Sequence, residues 1–546
     1  MKTRRATTVG SILAVLAAAG CTGGGGSTPA TAGTGPGADQ QAAAVLTAAR
    51  ATTVVAPGRT PAEITAAVSR SLFTSSPVVV VAAAGDAAAV ADGAAQSERL
   101  GVPLLLEGGA APGAGPGAGA TGTPAATSDG SPSASPGGAT GSAPADGGGS
   151  GGPEPAAAEV TRLKPATVLA LGAGVADRLG STGAEVVTDA GELPEIGRPQ
   201  PLTDTAVLVS STAGRATAAA VTATAKAAGA TPVPVAGTDP RADSAAIEAL
   251  SAAKPAHVLA AGSGFGAVPA LAARLKVAAT GVQLPGGGQV VLPGRRLVAM
   301  YGHPGTAGLG VLGEQPLPQA IARAKRLAAP YQPLSGSTPV VPAFELIATV
   351  AQSSPGAGGD YSYEAPVSLL KPWVDAAGKA GMYVVLDLQP GRANFLDQAK
   401  VYESLLRLPH VGLALDPEWR ITDSQLPLQQ IGSARASEIN SVYRWLADLT
   451  AANTLPQKLF VIHEFRLSMI GDDEPLQHDR DQVQLLVHMD GQGPTNTKDE
   501  TWAAVVGAAP KGVPFGWKNF YDEDQPMLTP EQTMIRKPTP VMISYQ

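Results

Sequence analysis

Cysteine is nearly absent: Cys21 is the only one among 546 residues, so no disulfide can form within the chain. Aromatic residues are scarce, at 4% of the chain, and unevenly placed. Phe73 and Phe265 are the only ones before Arg296, whereas all five Trp and most of the six His follow it. Chemistry that needs rings, imidazoles and clustered acids therefore belongs to the second half. The Ala-, Gly-, Val- and Thr-rich first half reads as scaffold. Basic charge is short as well: 38 Lys and Arg against 45 Asp and Glu leave a net charge of -7. With no basic stripe, a nucleic-acid partner is excluded. The apolar run from Val9 to Ala19 is too short for a stable membrane span.

What that run does fit is export. Lys2, Arg4 and Arg5 precede it and small residues follow, which predicts a signal peptide over residues 1–21. Ala18-Ala19-Gly20-Cys21 resembles a bacterial lipobox. That resemblance implies that Cys21 becomes the lipidated first residue of the mature protein. The expected location is then extracytoplasmic, with the lipid anchor in the outer face of the cytoplasmic membrane. An ordinary signal peptide with an incidental cysteine is the alternative. Residues 22–50, rich in Gly, Ser, Thr and Pro at their start, read as a flexible tether.

Residues 51–284 contain a repeat. Lys164-Pro-Ala-Thr-Val-Leu-Ala-Leu-Gly-Ala-Gly174 matches Lys254-Pro-Ala-His-Val-Leu-Ala-Ala-Gly-Ser-Gly264. Upstream, Gly101-Val-Pro-Leu-Leu-Leu-Glu-Gly108 matches Ala230-Thr-Pro-Val-Pro-Val-Ala-Gly237. The first copy is longer by a Gly/Pro/Ser/Ala tract at about 108–155, which has almost no large apolar side chains and is expected to be disordered. Strand and Ala-rich helix alternate: strand 78–83, helix 87–100, strand 103–106, strand 168–171. That alternation predicts a duplicated, Rossmann-like parallel α/β module. The order resembles the cell-wall-binding repeat 2 family of exported bacterial proteins, which implies attachment to anionic wall polymers. A structural spacer without ligand is the alternative. The Gly172-Ala-Gly174 and Gly262-Ser-Gly264 turns lack the third glycine and following acid of a dinucleotide site.

Past Pro285-Gly-Gly-Gly288, the stretch 295–546 approaches the ~250 residues of an eightfold barrel. Eight apolar runs predict strands near 297–301, 340–345, 382–387, 411–416, 459–464, 484–490, 513–517 and 541–545. Seven helices are expected between them and none after the last. Two show an apolar stripe: 394–408, with Phe395, Ala399, Tyr402 and Leu406, and 437–451, with Ile439, Val442, Tyr443, Leu446 and Leu449. The predicted fold class is α/β, a duplicated module followed by a (β/α)8 TIM barrel.

Four of these strands end in an acid. His410-Val-Gly-Leu-Ala-Leu-Asp-Pro-Glu-Trp419 delivers Asp416 and Glu418 to a Pro-broken end. Tyr383-Val-Val-Leu-Asp387, Leu459-Phe-Val-Ile-His-Glu464 and Gln484-Leu-Leu-Val-His-Met-Asp490 repeat the pattern. A core has no use for that chemistry, whereas the mouth of a parallel barrel does. The candidate catalytic residues are Glu418, Asp416, Asp387, Glu464 and Asp490. His303, Glu345, Trp419, His463, Arg466, His488, Trp517, Lys518 and Tyr545 are candidates to bind substrate, with Tyr361 as a further ring for a sugar to stack on. Several acids beside aromatic faces point to glycoside hydrolysis. One carboxyl must stay protonated and a second must attack or activate water; crowding raises carboxyl pKa values.

Gly412-Leu-Ala-Leu-Asp-Pro-Glu-Trp419 resembles strand four of the family 18 chitinase-like glycoside hydrolases, with Ala414 and Pro417 departing from that pattern. The resemblance implies that Glu418 donates the proton and Asp416 orients the substrate. The expected partner is a cell-wall or extracellular polysaccharide, and no cofactor or metal is expected. Structural roles remain open: Asp387 or Asp416 pairing with Arg392 or Arg420, and Glu464 with Arg466. So do two other functions, a catalytically silent barrel that binds wall glycan or a protein, and a metal-dependent amide or acetyl hydrolase using His303, His463 and His488. No Gly-x-Ser-x-Gly elbow is present within 295–546 for a serine nucleophile.

Overall fold

The computed structural model describes residues 42–47, 51–108, 154–180 and 182–546. Cys21, the export segment, most of the tether and nearly all of the 108–155 tract lie outside these. Among the described residues, no helix is long and apolar enough to cross a membrane.

The first half holds two four-stranded parallel sheets. One runs Leu104–Glu107, Val78–Ala83, Thr167–Leu171, Glu185–Val187. The other runs Thr53–Ala56, His257–Ala261, Thr205–Ser210, Thr231–Val235. Thr53–Ala56, which precedes both repeats in sequence, completes the second sheet beside His257–Ala261. Helix ends follow local chemistry. Asp86 accepts from the backbone N–H groups of Ala88 and Ala89 to start helix 87–100. Lys164 and Lys254, each just before a proline, end their helices in the left-handed conformation.

The second half is a closed barrel of eight parallel strands. They are β1 (Arg296–Gly302), β2 (Val340–Ala351), β3 (Tyr383–Leu388), β4 (Val411–Leu415), β5 (Lys458–Glu464), β6 (Val483–Met489), β7 (Phe515–Asn519) and β8 (Met542–Tyr545). Each pairs with the next, and β1 pairs with both β2 and β8, which closes the ring. The long β2 also takes a short antiparallel strand, Ser362–Glu364, at its end.

Alternation along these strands sorts the side chains. Leu297, Ala299, Val341, Ala343, Tyr383, Val385, Ala414, Val461, Leu486 and Met542 form one apolar cluster, the barrel interior, with Leu292 packed against it. Their odd-even neighbours, such as Phe344, Leu386, Leu413, Ile462, Val487 and Trp517, join a second cluster with the surrounding helices. Two residues beyond the apolar interior, each strand presents a polar group on the same face.

Six connections between barrel strands carry helix: Leu317–Ala328, Val367–Lys379, the pair Phe395–Val401 and Glu403–Leu406, Ala436–Ala452, Thr495–Ala508 and Pro530–Met534. The expected seventh, between β5 and β6, is replaced by a 3-10 turn, Leu467–Met469, and a bridge strand, Ile470–Gly471, paired with Ala434–Arg435. The physical reason is local. Asp472, Asp473, Glu474, Pro475, His478, Asp479 and Arg480 leave no apolar stripe to pack on a sheet. At the end of this connection Asp481 accepts two hydrogen bonds from Arg274, tying the first half to the base of the barrel. The helix expected over 394–408 is broken at Tyr402, whose hydroxyl donates to the carbonyls of Ala348 and Ala365.

Candidate active site

The polar layer above the apolar interior consists of Tyr301, Glu345, Asp387, Asp416, His463, His488, Asp490, Lys518 and Ser544, all buried. Each follows an interior apolar residue or Gly516 by two, except Asp490, which follows His488 by two. Gly516 is required by close approach: a Cβ there would meet the His488 ring at 2.6 Å.

His463 is the centre of the layer. Its Nε2 lies 3.0 Å from Glu345 Oε1 and 3.8 Å from Asp387 Oδ1. Its Nδ1 lies 3.2 Å from Asp490 Oδ2 but outside hydrogen-bonding direction, so charge holds that contact. Burial pushes the imidazole toward neutrality, yet Glu345 and Asp490 outweigh it and hold the pKa well above the ordinary value. His463 is therefore an imidazolium between two carboxylates. Burial likewise opposes ionisation of Glu345 and Asp490, and the His463 charge overcomes it in both, so their pKa values fall below the usual carboxylate range. His488 stacks against His463 with ring centroids 5.1 Å apart. Burial, opposed by Glu345 and reinforced by His463, brings His488 down to about 3, so it is neutral, with Nε2 3.1 Å from Ser544 Oγ.

The remaining acids behave oppositely. Burial lifts Asp387 to about 6, partly countered by His463, and its Oδ2 accepts from the Tyr301 hydroxyl at 2.8 Å. Asp416 is raised well above its ordinary value by burial and then by Glu418 and Asp387. Glu418 is lifted to about 7 by burial and then by the charge of Asp490. It is placed by a turn rather than by strand alternation, because Pro417–Trp419 form a 3-10 turn directly after Asp416. The Lys518 ammonium sits 3.6 Å from the Tyr301 ring centroid, in cation–π contact.

A cleft of about 540 Å³ opens above this layer, lined by Glu418, Trp419, Asp490, Lys518, Tyr301 and Gln389 among others. Beneath it, Glu345 Oε2, Asp387 Oδ1, Asp416 Oδ1, Trp419 Nε1, His488 Nδ1 and Asp490 Oδ1 are buried without a hydrogen-bond partner. Orphaned polar atoms are uncommon in folded proteins, and a cluster of them marks a place built for chemistry rather than for stability.

Other sequence candidates lie elsewhere. Trp517 faces outward, packs on Trp502 and donates to Asn519. Tyr545 also faces outward, where its hydroxyl meets that of Tyr331 at 2.6 Å. Both have the wrong alternation parity for the interior. Glu464 follows inward-facing His463 and pairs in register with outward Met489, so it leaves the site on the helix side. Arg466 is exposed and forms no ion pair with Glu464 among the described residues. His303 is fixed by the Ile347 carbonyl at 2.9 Å and stands edge-on to Tyr363, so the three histidines do not converge. Tyr361 is covered by Arg392, whose guanidinium lies 4.3 Å from its ring centroid. Arg420 pairs with Glu438 and Arg392 bonds to the Gln425 carbonyl, which leaves Asp387 and Asp416 without arginine partners. Tyr301, Gln389 and Ser544 went unrecognised in the sequence. Counting two beyond Ala299 and Met542 reaches the first and last, whereas nothing local marks Gln389.

Glu464 offers a stability test. Burial, then Asp490, raises its pKa to about 7 from an ordinary 4.5. An acid raised in the folded state costs stability as pH climbs from its unfolded value through its folded one. Glu464→Gln is expected to raise the melting midpoint by roughly 2–4 °C at pH 8 and little at pH 4.5. An equal gain at both values in calorimetry would refute the buried-acid account. Compared with known proteins, the chain matches no family model and no curated sequence, so the chemistry of the site is read from its own side chains.

Proposed function

We propose that the barrel hydrolyses glycosidic bonds, with Glu418 as general acid and Asp490 as the nucleophile or the base that activates water. One observation carries this reading: the two carboxyls line the same cleft while their surroundings displace them in opposite directions. Such a divided pair is what acid–base chemistry at neutral pH requires. Asp416, buried and itself raised in pKa by burial and by the neighbouring Glu418 charge, orients the substrate. Activity should decline as pH rises through about 7, where Glu418 loses its proton, and again at acid pH where Asp490 gains one. The test is digestion of a panel of wall and extracellular glycans, followed by a pH–rate profile on whichever is cut. No turnover on any glycan of the panel or on simple alkyl and aryl glycosides would overturn the reading.

The first half is proposed to be one α/β unit used twice as a wall-attachment module. The matching strand orders of its two sheets support this, with Thr53–Ala56 taking the place in the second sheet that Glu185–Val187 holds in the first. Export and lipidation at Cys21 are likewise proposed. Cys21→Ser should move the protein from the membrane fraction to the medium, and unchanged partition after fractionation would exclude the anchor.

A further inference from the structure

We propose that the substrate is the glycoside of an apolar alcohol, an alkyl or aryl glycoside, with its aglycone on a wall formed by Trp419, Leu428, Ile431 and Phe465. This rests on the reading of Glu418 and Asp490 as the catalytic pair, and it adds which side of the bond is apolar. Polar and apolar groups both line the cleft, with Leu309, Ile347, Val350 and Phe520 among the apolar ones. Gln389, Asp490, Gln492, Lys518 and Gln546 supply hydrogen-bonding groups for a sugar. The apolar groups adjoining the acid are Trp419, Leu428 and Ile431, from the segment that carries Glu418, and Phe465, from the neighbouring β5 end.

That wall is fixed against the acid by backbone contacts. The N–H of Gly432 donates to the Glu418 carbonyl at 2.6 Å, and that of Ser433 to the Arg420 carbonyl at 2.8 Å. A Cβ at 432 would meet those same two carbonyls at 2.6 and 2.4 Å, so only glycine lets the loop return this closely. The return sets Ile431 and Leu428 on the rim, 38% and 76% exposed. Leu428 also holds a left-handed φ of 65°, a strained conformation for a leucine and one that asparagine adopts readily. Apolar side chains grouped with Trp419 and Phe465 at the lip of a cleft mark a surface for an apolar ligand.

The chemistry then assigns the sides. A general acid stands by the leaving oxygen, so groups adjoining Glu418 face the aglycone. The bond between the anomeric carbon and the leaving oxygen breaks, and the Glu418 proton passes to that oxygen, releasing a free apolar alcohol. Water supplies the hydroxyl gained by the sugar, and its remaining proton returns to the carboxylate pair.

The experiment compares matched methyl, octyl and phenyl glycosides of several sugars as probes, with wild type and Leu428→Asn. Wild type should show a higher kcat/KM for octyl or phenyl than for methyl glycosides of the same sugar. Leu428→Asn should lower that ratio about tenfold or more, with a melting midpoint no lower than that of wild type. A preference for the octyl over the phenyl series, or the reverse, identifies which aglycone the wall takes. A methyl glycoside cut as well as the others, or an unchanged ratio in the variant, would overturn the inference. If no glycoside is cut, submicellar octyl glycosides are titrated against Trp fluorescence. Saturable binding weakened in Leu428→Asn keeps the apolar wall while removing the hydrolase reading, and no binding removes both.

Discussion

Glu418→Gln should reduce turnover of a susceptible glycoside by about a hundredfold or more while leaving the fold intact. The amide keeps the size of the side chain on the Pro417–Trp419 turn but has no proton to give. The loss should depend on the leaving group. A dinitrophenolate departs without protonation, so its glycoside should lose far less than one with an alcohol leaving group. The wild-type decline in activity through about pH 7 should also vanish from the residual rate, because the group that titrates there is gone. Asp490→Asn should lower the rate on every substrate, whatever its leaving group. Equal rates for wild type and Glu418→Gln on an alkyl glycoside would take Glu418 out of the mechanism.

His463→Gln should be the most destabilising single change at the site. Wild type holds one imidazolium against Glu345 at 3.0 Å and Asp490 at 3.2 Å in a buried layer. Glutamine fills similar space without charge and leaves two carboxylates facing each other with only Lys518 nearby. Removing one partner of a buried ionic group costs about 3–5 kcal/mol, a fall in melting midpoint of roughly 10 °C or more. The pH dependence has a defined sign. The contribution of His463, raised in the folded state, is complete below its unfolded value near 6.5 and is lost as pH rises through its higher folded value. The contributions of Glu345 and Asp490, depressed when folded, are present above ordinary carboxylate values and lost as pH falls through the depressed ones. In His463→Gln both acids lose the cation that depressed them, so the variant's own melting midpoint should rise from pH 8 to pH 5 as they protonate, while the lost His463 contribution, complete below about 6.5, deepens the deficit over the same range. Adding Glu345→Gln should recover part of it, since one of the stranded charges is then removed. A variant midpoint no higher at pH 5 than at pH 8, with no gain from Glu345→Gln, would mean that packing, not charge, is what His463 supplies.

Much of this architecture could be read without coordinates. Apolar runs with turn signals located all eight barrel strands, because a strand buried on both faces must be continuously apolar and must end where the chain turns polar. The same reasoning identified Asp387, Asp416, His463, His488 and Asp490 as a set, since an acid or imidazole at such an end has no structural purpose. The β5–β6 connection was expected to be helical from strand count alone, and its own run of charges, Asp472 to Asp481, argued otherwise.

Facing and pairing needed the tertiary structure. His463 and Glu464 are equally polar and adjacent, and only the register of β5 against β4 and β6 turns one inward and the other out. Trp517 and Tyr545 share the fate of Glu464 for the same reason: parity is defined relative to a barrel that no single strand contains. The approach of Glu418 to Asp490 and the bridge from Glu345 through His463 join residues from different strands and strand ends, far apart in sequence. Their pKa values follow from that proximity and from exclusion of water, neither of which is a property of local sequence. Composition and periodicity determined where the polar groups would gather; ring closure decided which of them meet, and so which acid keeps its proton.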